Sequence, residues 1–277
     1  MTDFISFQGA LGAYSHQACI NAMPHLTPLP CADFESAIQA VISGQATHAM
    51  LPIDNTLAGR VADIYRLIPE SQLHIIGEYF LPIHHCLLGI KGTTLKNITT
   101  VSSHIHALPQ CREFIKQHQL ERHVSSDTAG AAQETAEKND PTWAAIASRI
   151  AAEIYGLDIL ADNIADADSN HTRFVIMTKQ SIIPPVGDDV VTSMMFETRS
   201  VPAALYKALG GFATNGLNLT KLESYLTNGK FKAATFYCEI EGHPESRAMK
   251  LALEELSFFA NAIRLIGTYP AHPFRRK

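Results

Sequence analysis

The sequence predicts an α/β protein with two different architectures along one chain. From residue 4 to about residue 180, short apolar strands alternate with helices, which is typical of parallel or mixed sheets. A linker at 181–189 follows, containing Pro184-Pro185 and Gly187. Beyond it the order becomes βαββαβ, which is typical of a ferredoxin-like domain. We therefore expect a two-lobed region at 1–180 and a small domain at 190–277.

The first lobe is predicted from about 1–80, together with a returning strand at 172–180. Phe4–Phe7 is a strand, and a Gly-rich turn leads into a helix at Tyr14–Met23 with Ser15 in its first turn, where free backbone N–H groups suit an anion. The next predicted elements are a helix capped by Asp33 and ended by Gly44, a strand at Thr47–Pro52, and a polar loop at Ile53–Thr56. This loop would lie at the carboxyl end of a strand, where open α/β sheets bind ligands.

The second lobe is predicted from about 81–171. Leu73–Ile90 is long and apolar, but Pro82 divides it into two strands with a crossover between the lobes. The predicted elements that follow are a strand at 99–102, a helix at 108–118, a strand at 122–125, a helix capped by Thr128, a strand at 143–147 and a helix at 148–155 ended by Gly156. The strand Thr172–Met177 then pairs back into the first lobe.

The small domain is predicted from six elements in the βαββαβ order. They are a strand at 190–196, a helix at 202–212 with Pro in its first turn, strands at 217–223 and 231–240, a helix at 244–259 and a strand at 263–269.

Composition excludes several classes of function. The chain has 277 residues, 46% of them hydrophobic, and a net charge of −5, which argues against a nucleic-acid or anionic-membrane partner. It shows neither a signal peptide nor an apolar run of the roughly 18–20 residues that would span a bilayer. Five scattered cysteines indicate reduced cytosolic thiols, so we expect a cytoplasmic protein. His84-His85 and His104-Ile105-His106 lack the ligand spacing of a metal site, and no cofactor is expected.

Four polar clusters stand at predicted strand ends or helix starts. They are Gly12–Ser15, Asp54-Asn55-Thr56, Ser102–Cys111 and Asn170–Phe174. No cluster contains a pair of carboxylates for acid–base work or a Ser-His-Asp set. Uncharged donors with an arginine suit a site that binds an anionic substrate and stabilises a departing group, and they argue against hydrolysis.

These clusters carry a resemblance to a known family. The matching segments, in chain order, are Gly9-Ala10-Leu11-Gly12-Ala13-Tyr14-Ser15, Pro52-Ile53-Asp54-Asn55-Thr56, Ser103-His104-Ile105-His106 with Gln110-Cys111, Thr128-Ala129-Gly130-Ala131-Ala132, and Asn170-His171-Thr172-Arg173-Phe174. The first 180 residues resemble prephenate dehydratase, with a periplasmic-binding-protein-like fold, and the remainder resembles its ACT regulatory domain. Departures include Ala10, Ala13, Asp54 and Ile105-His106.

The resemblance implies a reaction and its residues. Prephenate would lose carbon dioxide and water to give phenylpyruvate in L-phenylalanine biosynthesis. The implied catalytic residues are Thr172, Asn55 and Gln110, and the implied substrate-binding residues are Ser15, Thr56, Ser103 and Arg173. Two alternatives stay open. Arg173 is structural if Thr172 faces the cleft, because adjacent strand residues point to opposite faces, and the two serines could instead cap helices. Cys111 is interpreted as a buried core thiol.

The small domain resembles a phenylalanine-binding ACT module. The segments Pro202-Ala203-Ala204-Leu205 and Asn218–Ser224 carry this match. The implied effector-binding residues are Ala203, Ala204, Leu205, Asn218, Leu219, Glu223 and Ser224. Tyr225-Leu226 replaces the usual Arg-Pro. Side-by-side pairing of such domains implies a homodimer or homotetramer, with phenylalanine as allosteric effector.

Two rival hypotheses remain at this level. The same chemistry could act on arogenate, whose side chain carries an amine, or the chain could be a non-catalytic amino-acid sensor. Retention of Thr172, Asn55 and Gln110 argues against the sensor. A fused chorismate mutase is not expected, because no helical domain precedes Phe4.

Overall fold

The computed structural model describes residues 3–167, 169–199, 201–225 and 235–276. The chain forms two compact units. The first unit comprises Met1–Val61 and Tyr79–Phe174, and the second comprises Ala62–Glu78 and Val175–Lys277. The sequence alone groups 62–78 with the first lobe, whereas the compact units group it with the C-terminal part of the chain.

Helices and strands alternate up to residue 178, which confirms the predicted α/β class. The elements as far as the crossover are β1 (Phe4–Gln8), α1 (Tyr14–Ala22), β2 (Thr27–Cys31), α2 (Phe34–Ser43), β3 (His48–Asn55), β4 (Gly59–Arg60), α3 (Ala62–Ser71) and β5 (His74–Pro82). The elements that follow are β6 (Cys86–Gly89), β7 (Thr100–His104), α4 (Arg112–Gln117), β8 (Glu121–Ser125), α5 (Thr128–Lys138), β9 (Trp143–Ala147), α6 (Arg149–Tyr155), β10 (Asp158–Ala161) and β11 (His171–Thr178).

Two sheets organise these strands. The first has the order β2-β1-β3-β11-β5, so the predicted return of β11 into the first sheet is confirmed. Within it, β1 runs parallel to β2 and β3. The second has the order β10-β6-β9-β7-β8, with β7 parallel to β8 and β9. Core residues from the second sheet's strands, such as Val101 and Ala145, are fully buried.

Local sequence signals fixed several helix ends as predicted. The Asp33 carboxylate accepts a hydrogen bond from the Ser36 N–H and caps α2, while Gly44 ends it with φ of 85°. Gly156 ends α6 in the same left-handed conformation. The predicted cap of α5 is wrong by one residue, because the Asp127 carboxylate accepts from the Gly130 N–H and Thr128 is the first helical residue.

Three features of this region differ from the prediction. Strand β3 continues through Asn55 instead of ending at Pro52, because Asp54 and Asn55 pair with β4 in a tight hairpin. The predicted helix at 108–118 is divided into a 3-10 turn, Leu108–Cys111, and α4, whose first N–H groups donate to the Asp166 carboxylate. Helix α3 and strands β2, β4 and β10 were not predicted.

The C-terminal part confirms the predicted βαββαβ order. Its elements are β12 (Val190–Thr198), α7 (Ala204–Thr214), β13 (Leu219–Tyr225), β14 (Thr235–Glu241), α8 (Arg247–Ser257) and β15 (Ala260–Pro270), and a 3-10 turn, Pro273–Arg276, follows. The sheet order is β13-β14-β12-β15 and its pairings are antiparallel. Apolar residues of this sheet pack against α7 and α8, with Phe196, Phe212 and Leu256 at the centre.

Two predicted element boundaries in the C-terminal part are not reproduced in full by the structure. The predicted helix start at Pro202 is wrong, since Ala203 at the N-cap has φ of 60° and α7 begins at Ala204. The predicted strand at 231–240 is described only from Thr235, and residues 231–234 lie outside the described residues, as does Leu226. No described helix is long and apolar enough to cross a membrane.

Candidate active site

Five side chains of the first unit form one continuous hydrogen-bonded network. Asn55 ends β3, Asn170 precedes β11, Thr172 lies in β11, Gln110 lies in the 3-10 turn before α4, and His85 precedes β6. The structure thus brings together all three side chains predicted to be catalytic, which are separated by up to 117 positions in sequence. Both sheets contribute, because the site lies where loops at their strand ends meet.

The orientation of the Asn55 amide follows from its backbone partners. Its Oδ1 atom accepts from the N–H groups of Leu57 and Ala58 at 2.9 and 2.7 Å, and a backbone N–H can only donate. Its Nδ2 atom therefore carries the two hydrogens, which go to Asn170 Oδ1 at 2.8 Å and Thr172 Oγ1 at 2.9 Å. The Asn55 side chain is consequently occupied in holding its neighbours.

The orientations of the Asn170 and Gln110 side-chain amides follow from the same hydrogen-bond argument. Since Asn170 Oδ1 accepts from Asn55, its Nδ2 atom is a donor, and it donates to Gln110 Oε1 at 2.7 Å. Asn170 is 3% exposed, and its backbone carbonyl oxygen accepts a hydrogen bond from the Ile83 N–H. The Gln110 oxygen is thus directed into the network. Among the described residues, the Gln110 NH2 group donates to no protein acceptor.

Thr172 is half-buried and its hydroxyl hydrogen is free to act as a donor. The Oγ1 atom accepts from Asn55, and no acceptor for its own hydrogen is found within the described part of the chain. Thr56 secures the start of β11, because its Oγ1 accepts from the His171 N–H and its N–H donates to the His171 carbonyl, both at 2.9 Å. The Thr56 hydroxyl therefore holds the strand that carries Thr172.

Arg173 lies on the other face of the strand from Thr172. It is 7% exposed, with NH1 at 3.7 Å from an Asp54 carboxylate oxygen and its guanidinium 5.9 Å from the Phe80 ring centre. This geometry favours the structural alternative left open by the sequence.

The two predicted serines are both buried. Ser103 is fully buried and donates to the Ile146 carbonyl at 2.6 Å, which joins β7 to β9. Ser15 is 8% exposed in the first turn of α1. Cys111 is fully buried, and burial raises the pKa of its thiol, as expected of a core thiol.

A cavity of about 360 Å³ opens beside Gln110 in the first unit. It is lined by Leu57, Ala58, His106, Pro109, Gln110, Asp166 and Ala167. Because the Gln110 oxygen is held by the network, its NH2 group is the part of the side chain left for a ligand in this cavity. Within the described residues, no group of three His, Cys, Asp or Glu side chains could hold a metal ion.

The sequence did not single out three residues of this network as site residues: Asn170, His85 and Tyr14, the last of which extends the network beyond His85. His85 Nε2 lies 2.9 Å from Gln110 Oε1, and Tyr14 OH lies 2.8 Å from His85 Nδ1. Burial lowers the pKa of His85 and raises that of Tyr14, so both are neutral near pH 7. The only sequence feature that drew attention to His85 was the His84-His85 pair, and this pair predicts neither Gln110 nor Tyr14 as a partner.

The predicted effector residues lie in the second unit. Ala203 adopts the left-handed conformation before α7, and Leu205 packs against the small-domain core. Asn218 Nδ2 donates to Glu241 at 2.8 Å, and Glu223 lies 3.6 Å from the Lys221 ammonium. The remaining predicted residues are Ala204 in α7 and Leu219 and Ser224 in β13.

The fold is that of an α/β protein, and the candidate site offers uncharged donors that suit a lyase in which an oxygen departs. Comparison with known proteins agrees. Residues 5–182 match the model of the prephenate dehydratase family, and the chain belongs to this family of lyases, which dehydrate and decarboxylate prephenate in aromatic amino-acid biosynthesis.

Several relatives span nearly the whole chain. A Komagataeibacter europaeus protein described as a bifunctional N-acyl-homoserine lactone acylase/prephenate dehydratase is 47% identical over 274 residues, covering 99% of this chain and 98% of its own length. Arogenate dehydratase/prephenate dehydratase 1 of Arabidopsis thaliana, a chloroplastic protein, is 39% identical, covering 96% of this chain and 71% of its own length.

Two solved structures are similar over the same span. One, described as GqqA, a quorum-quenching acylase, has a TM-score of 0.93 and 47% identity, covering 99% of this chain and all of its own. Prephenate dehydratase of Arthrobacter aurescens in complex with L-Phe has a TM-score of 0.90 and 29% identity, covering 97% of this chain and 90% of its own.

Proposed function

We propose that this protein converts prephenate to phenylpyruvate, with Thr172 as the hydrogen-bond donor to the departing hydroxyl. The single observation that carries the proposal is the Thr172 hydroxyl. Its oxygen accepts from Asn55 at 2.9 Å, and its one hydrogen is therefore left for the substrate.

The reaction needs little else from the protein. The bond to the ring carboxylate breaks and its electrons enter the ring, while the ring C–O bond breaks and the oxygen leaves as hydroxide, which takes a proton to become water. Aromatisation drives both steps. A donor at the leaving oxygen stabilises the charge that develops there, and such assistance is typically worth ~10²–10⁴-fold. A threonine hydroxyl is a weak acid, so it stabilises the leaving oxygen by hydrogen bonding.

The remaining predicted residues receive separate roles in this proposal. Gln110 binds the substrate with its NH2 group, while Asn55 orients Thr172 and Asn170. Thr56 holds the strand, and Arg173 balances Asp54. Ser15, in the first turn of α1, contributes to anion binding together with free backbone N–H groups. Ser103 supports the second sheet from within.

The second unit is proposed to bind phenylalanine as an effector through the seven predicted residues. Support comes from the βαββαβ order and from the Arthrobacter aurescens relative, which was crystallised with L-Phe. We also propose a cytoplasmic homo-oligomer.

The decisive experiment compares turnover of prephenate by wild type, Thr172→Val and Thr172→Ser. Valine has the same shape without the hydroxyl, so we expect kcat to fall ~10²–10⁴-fold with KM little changed. Serine keeps the hydroxyl and should retain most activity. A valine variant as active as wild type would refute the role of Thr172, and wild type that forms no phenylpyruvate would refute the function.

The same assay addresses the alternatives. Arogenate as substrate tests the activity named in the Arabidopsis relative, and a large arogenate preference would overturn the prephenate assignment. An N-acyl-homoserine lactone tests the second activity named in the Komagataeibacter relative, which is favoured by 47% identity over both full lengths. Phenylalanine in the prephenate assay tests the effector. Binding without turnover of any substrate would favour the sensor.

A further inference from the structure

We propose that His85 is a positioning residue for the reaction: its Nε2–H group holds the Gln110 oxygen and thereby presents the Gln110 NH2 group to the substrate. The inference rests on the proposed function for its kinetic consequence. Its structural part rests only on the hydrogen-bond accounting of the first unit.

The protonation of His85 follows from the chain of amides. The two backbone N–H groups at Asn55 fix its orientation, Asn55 fixes Asn170, and Asn170 fixes Gln110 Oε1 as an acceptor. His85 Nε2 lies 2.9 Å from this oxygen, so Nε2 carries a hydrogen. An unprotonated Nε2 would set two lone pairs against each other in a buried site.

Tyr14 completes the assignment from the other side of the ring. Burial lowers the pKa of His85, and a neutral ring with hydrogen on Nε2 has its lone pair on Nδ1. The Tyr14 hydroxyl donates to the His84 carbonyl at 2.9 Å and lies 2.8 Å from Nδ1, so with a lone pair on Nδ1 its single hydrogen is shared between these two acceptors. The two rings also meet edge to face, with centres 5.5 Å apart, which holds the imidazole plane.

The consequence concerns Gln110. A glutamine amide can turn by half a rotation and exchange its oxygen for its NH2 group. Two donors converging on Oε1, one from Asn170 and one from His85, disfavour the turned state. His85 is 2% exposed and does not line the cavity, so it acts through Gln110.

The test uses two substitutions that separate the ring nitrogens. His85→Gln extends an amide NH2 to about the place of Nε2, while His85→Asn has its amide at about the place of Nδ1 and cannot reach Gln110. For prephenate turnover we expect His85→Gln to stay within about 3-fold of wild type in kcat/KM. His85→Asn should lose about 10-fold, because Gln110 Oε1 then keeps only the Asn170 donor and the turned amide is less disfavoured. Equal losses in both variants would contradict the positioning role.

A second measurement keeps the two proposals separable. Nitrogen-15 NMR of the wild-type imidazole should show a neutral His85 with hydrogen on Nε2, whether or not prephenate is turned over. Hydrogen on Nδ1 would overturn the inference even if the enzyme is active. If wild type forms no phenylpyruvate but the Nε2–H form is seen and the Gln110 amide signals shift in His85→Asn, the proposed function fails and the positioning role stands. If a variant fails to fold, the wild-type spectrum alone still tests whether His85 Nε2 carries the hydrogen.

Discussion

The two units bury polar groups in opposite ways. The first holds neutral amides, with Asn170 buried and Asn55 and Gln110 half-buried, and within the described residues the Gln110 NH2 group at the end of this chain of hydrogen bonds has no acceptor. The second buries ions: Arg275 donates to Glu78 at 2.6 and 2.9 Å and to Glu239 at 2.7 Å, and the two carboxyl side chains are 0% and 1% exposed.

This difference separates a site from a structural cluster. The ion cluster satisfies itself, because the Tyr237 hydroxyl and the His272 N–H also donate to the two carboxylates. Both carboxylates accept hydrogen bonds from groups of the protein, which leaves little for a ligand. Neutral amides do not repel an anionic substrate, and among the described residues the Gln110 NH2 group and the Thr172 hydroxyl hydrogen have no acceptor. The proposed function therefore assigns substrate binding and leaving-group assistance to the amide network.

The largest effect is expected from breaking the ion cluster. Arg275→Met keeps a long side chain but leaves two buried carboxylates without their cation. We expect the free energy of unfolding to fall by about 3–5 kcal/mol. Urea unfolding of the full-length protein measures it.

The neighbouring residue provides a matched control. Arg276 pairs with Asp189, and the two side chains are 73% and 54% exposed. Arg276→Met should change the unfolding free energy by no more than about 1 kcal/mol. Equal effects of the two substitutions would show that burial does not distinguish the two ion pairs.

Charging the amide network is the next test of the comparison. Asn55→Asp keeps the shape and the two backbone contacts at Oδ1, but it removes the donors to Asn170 and Thr172. It also places a negative charge close to an anionic substrate. Because Thr172 would lose the partner that orients it and the substrate would meet a negative charge, we expect kcat/KM for prephenate to fall by at least ~10²-fold.

The exposed Asn97 supplies the corresponding control, since Asn97→Asp makes the same chemical change on the surface and should leave kcat/KM unaltered. If Asn55→Asp retained wild-type kinetics, neutrality of the network would be irrelevant to the reaction.

The sequence could predict what local signals determine. The caps at Asp33, Gly44 and Gly156 depend on a few adjacent residues, and each lies where it was expected. The extension of β3 through Asn55 depends on pairing with β4 and was missed. Helix α3 was missed as well, since it contains Pro69.

The same distinction applies to the site. Ordered motifs pointed to Thr172, Asn55 and Gln110, because each motif is continuous in sequence. The partners that orient them are contributed by distant segments: His85 meets Gln110 across 25 positions, and Asn170 meets Gln110 across 60. Which amide atom faces which neighbour is decided by tertiary contacts, and no spacing in the sequence encodes it.

The smallest effect concerns the acid sensitivity of the first unit. Burial lowers the pKa of His16, His48, His85 and His104 from 6.5 in the folded protein, and all four lie in this unit. The unfolded chain therefore binds these protons at higher pH than the folded chain. The contribution of these neutral histidines to the free energy of unfolding is complete above about pH 6.5. It declines as the pH falls towards the lowered pKa values of the folded protein, by up to about 1.4 kcal/mol per pH unit for each histidine.

His16 allows this slope to be examined at one residue. Its Nδ1 atom accepts from the Gly12 N–H at 3.0 Å, so a proton on Nδ1 would break that bond. His16→Asn offers an amide oxygen at about the same place and does not titrate. Urea midpoints measured between pH 5 and 7.5 should therefore fall less steeply for His16→Asn than for wild type, with similar stability at the upper end. Parallel curves would mean that His16 takes up its proton equally in the folded and the unfolded chain, and that its contact with Gly12 does not contribute to the acid sensitivity of this unit.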